Sequence, residues 1–93
     1  MTNSPGDRVP ARTPGCQTDR LGEETLVFCP ARSETVYLNE TAALVWSLCD
    51  GTRTVQQIVG LLAAAYPDAA GRVAGDVDQT LRLLQERGAV RLT

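Results

Sequence analysis

Residues 37–55, with the sequence Tyr-Leu-Asn-Glu-Thr-Ala-Ala-Leu-Val-Trp-Ser-Leu-Cys-Asp-Gly-Thr-Arg-Thr-Val, constrain the fold of this chain more than any other stretch. The side chain of Asn39 can accept a backbone N–H and so begin a helix. Gly51 predicts where that helix ends, because glycine adopts the left-handed conformation beyond a helix without steric cost. Thr54 and Gln57 have the spacing of a capping box, in which each side chain bonds the backbone N–H of the other residue. The stretch therefore predicts a helix, a tight turn and the start of a second helix.

Apolar residues at helical spacing predict three helices in the second half of the chain. The first, over 40–49, is apolar nearly all round, so we expect it to be buried on most sides with Trp46 as a core anchor. The second ends before Pro67, and its apolar face consists of Val55, Ile58, Val59, Leu62, Ala63 and Tyr66. The third runs over 72–87 and ends before Gly88. Its core stripe is Val73, Val77, Leu81 and Leu84.

Short apolar runs separated by turn residues predict three strands in the first half, over 17–21, 24–28 and 34–38. Along the last of these strands Val36 and Leu38 face one side, and Thr35 and Tyr37 face the other. A three-stranded meander has two edges, and an edge strand offers unpaired N–H and C=O groups to another chain. Residues 89–92 are predicted to form a short final strand.

These elements predict an α+β fold, a small winged helix-turn-helix-like domain with a three-stranded antiparallel sheet followed by three helices. We expect that domain to occupy residues 16–93. Residues 1–15 contain prolines and glycines and almost no large apolar residue, so they are predicted to form a flexible tail. Deleting residues 1–14 is therefore expected to leave the thermal transition nearly unchanged.

The composition argues against an enzyme. The chain has no histidine, which removes the commonest general base and metal ligand, and we find no paired carboxylates, phosphate loop or nucleophile elbow. Cys16, Cys29 and Cys49 are odd in number and widely spaced, so they are expected to be thiols in a reducing cytoplasm rather than disulfide or metal ligands. No apolar run approaches the roughly 20 residues of a membrane span. We expect a cytoplasmic, non-catalytic binding module without metal or cofactor.

Three binding functions fit such a module. A winged helix could place residues 72–87 in the major groove of DNA, but the formal charge of −2 and the absence of a basic stripe disfavour nucleic acid. A peptide could add as a strand to the edge of residues 34–38, with main-chain bonds giving affinity and side-chain pockets giving specificity. The third possibility is a structural subunit that docks on an enzyme.

The central stretch resembles the PqqD family, also called the RiPP recognition element. The residues that carry the resemblance are Leu38-Asn39, Thr41-Ala42, Trp46, Asp50-Gly51 and Thr54-Val55. It extends over about Thr18 to Leu92 when the flanks are counted by pattern. The resemblance implies a peptide chaperone that holds the leader of a ribosomally made precursor for a modifying enzyme, often a radical S-adenosylmethionine protein. The product would be pyrroloquinoline quinone or another natural product, and the chemistry would take place on the enzyme.

The resemblance also implies where the leader lies, in a cleft between strand 34–38 and the third helix. One wall would consist of Glu34, Thr35, Val36, Tyr37 and Leu38. The other wall would consist of Asp76, Val77, Thr80, Leu83, Leu84 and Arg87. The positions on the helix are carried over only by its apolar pattern.

Overall fold

The structure is a computed structural model that describes residues 8–92. The strands are β1 (Pro10–Arg12), β2 (Gln17–Leu21), β3 (Glu24–Cys29), β4 (Glu34–Leu38) and β5 (Val90–Leu92). The helices are α1 (Glu40–Leu48), α2 (Val55–Ala65) and α3 (Ala70–Glu86). Short 3-10 turns over Pro30–Arg32 and Pro67–Ala69 join β3 to β4 and α2 to α3. None of the helices described is long and apolar enough to cross a membrane.

The main sheet has the strand order β2-β3-β4 and is antiparallel throughout. Val27 faces Val36 on its inner side, where both are buried and where α1 packs on β3 and β4. Leu26 faces Tyr37 on the outer side. Together with the three helices that follow, this sheet confirms the predicted α+β fold.

The helix starts agree with the predicted caps. Asn39 Oδ1 accepts the backbone N–H of Ala42 at 2.8 Å, and Thr54 and Gln57 form both bonds of the capping box. Gly51 has a φ of +82°, the left-handed conformation expected between α1 and α2. The third helix begins at Ala70, two residues earlier than predicted, because the turn over Pro67–Ala69 leads directly into it.

The core lies between the inner face of the sheet and the three helices. Trp46 is only 5% exposed, and its Nε1 donates to Thr18 Oγ1 at 3.0 Å, which confirms its prediction as a core anchor. The bond satisfies the one polar atom of a large apolar side chain. The predicted stripe of α3 is also buried, and it comprises Val73, Val77, Leu81 and Leu84.

The prediction of a flexible tail over residues 1–15 is wrong for β1, while residues 1–7 lie outside the described residues. β1 pairs antiparallel with β5, so that Pro10 faces Leu92 and Arg12 faces Val90. Arg12 also donates a backbone bond to Cys49 O at 2.9 Å and side-chain bonds to the carbonyls of Trp46 and Ser47. The guanidinium thus satisfies carbonyls at the C-terminus of α1, as cations do at helix ends.

The prediction of three free thiols is wrong as well. Cys16 and Cys29 form a disulfide, with their Cα atoms 4.2 Å apart. Gln17 faces Phe28 in the β2–β3 hairpin, and one more step of that register places Cys16 opposite Cys29. Cys49 is a buried free thiol, and this burial raises its pKa to about 12.

Candidate functional site

Strand β4 forms one edge of the main sheet. Within residues 8–92 it pairs with β3 on one side, and its other side carries no strand. Val36 and Leu38 point into the core, whereas Tyr37 is 64% exposed and Thr35 is half-buried. The backbone of β4 is thus fixed by two buried side chains while its outer edge is open, which suits the addition of another strand.

The predicted residues of α3 divide between core and surface. Val77 and Leu84 are fully buried, so they pack the helix onto the core and do not present a side chain to a ligand. Leu83 and Thr80 are half-buried at the boundary of the core. Asp76 and Arg87 are exposed, and they lie at the two ends of the stripe that also contains Thr80 and Leu83.

The structure joins the two predicted walls at one end. Arg87, just past α3, forms an ion pair with Glu34 at the start of β4, with 3.1 Å between Nη1 and Oε2. Next to it, Gly88 has a φ of +76°, and a Cβ at that position would require the Arg32 side chain to move. Both groups of the pair are partly exposed, so the pair contributes at most about 1 kcal/mol to stability. It shows that the C-terminal end of α3 lies beside the first residue of β4.

Among residues 8–92, no hydrogen bond or ion pair joins the other end of the helical wall to β4. Asp76 precedes Arg87 by three turns, which is about 16 Å along the helix axis. Strand β4 is about 13–16 Å long. β4 and the stripe on α3 therefore have similar lengths, and they meet at the Glu34–Arg87 pair. The assignment of Asp76 and Thr80 to a peptide site stays a prediction.

The residues that bond or pack next to the Glu34–Arg87 corner were not predicted from the sequence. Thr13 donates its hydroxyl to Gly88 O at 2.7 Å and its backbone N–H to Ala89 O at 2.8 Å. The Cys16–Cys29 disulfide lies at the same end of the sheet and lines a cavity with Arg32 and Gly88. The available signal was the hairpin register, which places the two cysteines opposite each other.

A second depression, of about 490 Å³, lies on the outer side of α2 and is lined by Thr52, Arg53, Gln57, Gly60 and Leu61. Leu61 is exposed there, but the surrounding residues are engaged in local structure. Asp50 accepts bonds from the Thr52 hydroxyl and backbone N–H and pairs with Arg53, which together lower its pKa to about 2. No group of three or more metal-ligating side chains occurs among residues 8–92.

Comparison with known families decides the class of this domain. The family model described as "Coenzyme PQQ synthesis protein D (PqqD)" matches residues 24–90, a stretch that contains both β4 and α3. The chain belongs to the PqqD family. The matched stretch of this PqqD-family domain includes every residue of the two predicted walls.

Its relatives include two proteins called "PqqA binding protein". One, from Xanthomonas oryzae pv. oryzae (strain KACC10331 / KXO85), is 33% identical over 94 residues, which is 99% of this chain and 100% of the relative. The other, from Stutzerimonas stutzeri (strain A1501), is 44% identical over 57 residues, 61% of each chain. Among solved structures, "TbiB1 in Complex with the TbiA(beta) Leader Peptide" has a TM-score of 0.73 and 17% identity over 87% of this chain and 94% of that one. At this identity the likeness shows that the two proteins share a fold.

Proposed function

We propose that this protein is a non-catalytic peptide chaperone that binds the leader of a ribosomally made precursor by strand addition at β4. It would present that leader to a modifying enzyme, which we expect to be a radical S-adenosylmethionine protein. The observation that carries the proposal is the open edge of β4, whose first residue, Glu34, pairs with Arg87 at the end of α3. The names of its relatives, which bind PqqA, support a peptide ligand.

The geometry divides affinity from specificity. A leader strand would gain main-chain hydrogen bonds from an edge that is already extended and rigid, so little ordering of the protein opposes binding. Main-chain bonds are the same for any sequence, so selection among peptides falls to side chains. Leu83 and Thr80 are half-buried along α3 and offer the apolar and hydroxyl contacts, while Arg87 and Asp76 offer charges.

The alternative of DNA binding is not supported by the exposed surface of α3. Arg82 is an exposed cation there, but it pairs with Asp78 at 3.0 Å, and the exposed acids Asp76 and Glu86 outnumber the other cation of the helix, Arg72. Phosphate binding depends on unpaired cations, so such a helix would repel the DNA backbone. A structural docking subunit would bind its enzyme equally with or without the leader. A pull-down of the enzyme in both conditions separates that role from ours.

The proposal includes a cytoplasmic location, where ribosomal precursors are made, and no catalytic residue on this chain. Thiol-reducing systems make disulfides rare in the cytosol. Mass spectrometry of protein trapped with acid inside cells would report the state of the Cys16–Cys29 pair. A pair that is oxidised throughout would contradict a reducing compartment.

The decisive experiment is an NMR titration of the isotope-labelled protein with synthetic PqqA of Xanthomonas oryzae, the organism of one relative. We expect amide shifts over 34–38 and along α3, because the added strand bonds one element and lies against the other. Shifts confined to Gln56, Gln57 and Gly60 on the outer side of α2 would refute strand addition.

Two matched arginine variants test the joined corner. Arg87→Gln removes the cation beside β4 and should weaken PqqA binding modestly, with a smaller effect at high salt. Arg82→Gln removes a cation that is also exposed and paired, but that lines a depression with Val55 and Leu92 rather than with β4, and should leave the affinity unchanged. Equal effects of both variants would place the peptide elsewhere.

A further inference from the structure

The outer face of the main sheet carries large apolar side chains that the core does not use. Phe28 is 40% exposed, Tyr37 is 64% exposed and Leu21 is 60% exposed. The helix α1 contacts β3 and β4 on the opposite, inner face, where Val27, Val36 and Leu38 are buried. Phe28 and Tyr37 are diagonal neighbours on β3 and β4, and exposed apolar side chains that adjoin each other mark interaction sites, whereas Leu21 stands apart at the β2 edge.

The register orders these side chains into rows across the sheet. One row runs from Asp19 on β2 through Leu26 on β3 to Tyr37 on β4, so it is polar at the β2 edge and aromatic at the β4 edge. The neighbouring row ends in Thr35, next to Phe28. Tyr37 is so exposed because its row stops at an open edge and has no further neighbour among residues 8–92.

A strand added to β4 would lengthen both rows. Side chains along a strand alternate between the two faces, so every second leader residue would point toward α3 and the others toward the outer face. The leader residue opposite Tyr37 would have its Cβ about 4.5–5.5 Å from the Cβ of Tyr37. Pairs of aromatic and β-branched residues at such positions are favourable in sheets. The exposed ring of Tyr37 is therefore placed to contact the leader on the face away from α3.

We propose that the leader is recognised on both faces of the added strand, with an aromatic or β-branched leader residue facing Tyr37. This inference rests on the proposed function and adds a second specificity contact to it. The predicted ligand is a segment with large side chains at both odd and even positions. One set of alternate residues would face Leu83 on α3, and the other set would face Tyr37. A leader strand with apolar residues on one face only would use half of the available surface.

The chain contains its own control. Leu21 has nearly the same exposure as Tyr37 and lies on the same outer face, but on β2 at the opposite edge of the sheet. Using synthetic Xanthomonas oryzae PqqA and calorimetry, we expect Tyr37→Ser to weaken binding about two- to fivefold, the scale of one cross-strand pair. Leu21→Ser should leave the dissociation constant unchanged. Tyr37→Phe, which keeps the ring, should bind like the intact protein.

A scan of the peptide gives the sharper readout. Serine is placed at each PqqA position in turn, and each peptide is measured against Tyr37→Ser and against Leu83→Ala. Peptide positions coupled to Tyr37 should alternate with positions coupled to Leu83, because the two side chains lie on opposite faces of the added strand. In the intact complex, nuclear Overhauser contacts from the Tyr37 ring should reach residues of one parity, a measurement that needs no variant to fold.

The outcomes separate this inference from the function on which it rests. If amides 34–38 shift with PqqA but Tyr37→Ser and Leu21→Ser both bind like the intact protein, two-faced recognition is overturned and strand addition stands. Two-faced recognition would also be overturned if the same set of alternate peptide positions were coupled to both Tyr37 and Leu83. If PqqA leaves amides 34–38 unchanged, the proposed function fails and this inference fails with it.

Discussion

Removing β1 should destabilise the domain strongly, although its sequence resembles a dispensable tail. Deleting residues 2–14 takes away the three-residue pairing with β5 and the buried ring of Pro10. It also removes backbone bonds that fix the chain after α1 and after α3: Arg12 N to Cys49 O, Gly51 N to Pro10 O, Val55 N to Arg8 O and Thr13 N to Ala89 O. The first three hold the turn between α1 and α2, and the last holds the segment between α3 and β5.

The magnitude follows from these contacts. At about 0.5–1.5 kcal/mol net for each bond, the four together contribute about 2–6 kcal/mol. The groups left behind become exposed to water, so no further penalty for unsatisfied atoms is added. A domain of this size has a total stability of about 5–14 kcal/mol. The deletion should therefore remove about 2–6 kcal/mol of it and lower Tm by at least about 8 °C.

Urea unfolding followed by the fluorescence of the single tryptophan, Trp46, measures the loss directly. Deletion of residues 2–7 is the matched control, since it leaves every contact named above in place. A 2–14 deletion that unfolds within about 1 kcal/mol of the intact protein would refute the assignment of β1 as a structural strand.

Four further results are expected. Trp46→Ala should lower the free energy of unfolding by about 3–5 kcal/mol in urea, and a variant that kept its stability but lost PqqA binding would place the ring in the site instead. Cys29→Ser should cost up to about 3 kcal/mol, the value for a disulfide loop of similar length, and added reductant should then have no further effect. Cys49 should resist iodoacetamide at pH 8 until urea unfolds the protein, because the thiol is buried. Its folded pKa is raised to about 12, so its contribution to stability is present below pH 9 and is lost as pH rises toward 12. The bonds from Thr52 lower the pKa of Asp50 to about 2, so its contribution is present above about pH 3.8 and lost as pH falls toward 2; NMR titration of its carboxyl measures this, and Asp50→Asn should abolish that part of the pH dependence.

Signals that act within a few residues made the helices predictable. The Asn39 cap bonds a residue three positions on, and the Thr54–Gln57 box has the same span, so each can be identified from a short window. The pairing of β1 with β5 could not be identified in this way. Pro10 and Leu92 lie at opposite ends of the sequence, and three residues that include a proline carry no strand signal of their own.

In the candidate site, too, the features that depend on nearby residues were predictable and those that depend on tertiary packing were not. The alternation of Val36 and Tyr37 about β4 follows from the two-residue period of a strand, and the structure has it as predicted. The corner formed by Glu34 and Arg87 depends on how α3 packs on the other helices, and no local pattern specifies that. The disulfide lies between these cases, because the two-residue turn at Gly22-Glu23 fixes the register that brings Cys16 to Cys29.

The pairing of Pro10 with Leu92 places the first and last strands of the described residues side by side. A chain that enters and leaves a domain at neighbouring points can be inserted into a surface loop of a host protein without stretching that loop. The same proximity favours a circular permutant joined by a short linker across β1 and β5, with new ends opened at the exposed Gly22 turn. In either form the edge of β4 would stay accessible, because β4 belongs to the other sheet and the β1–β5 pair would serve as the stem.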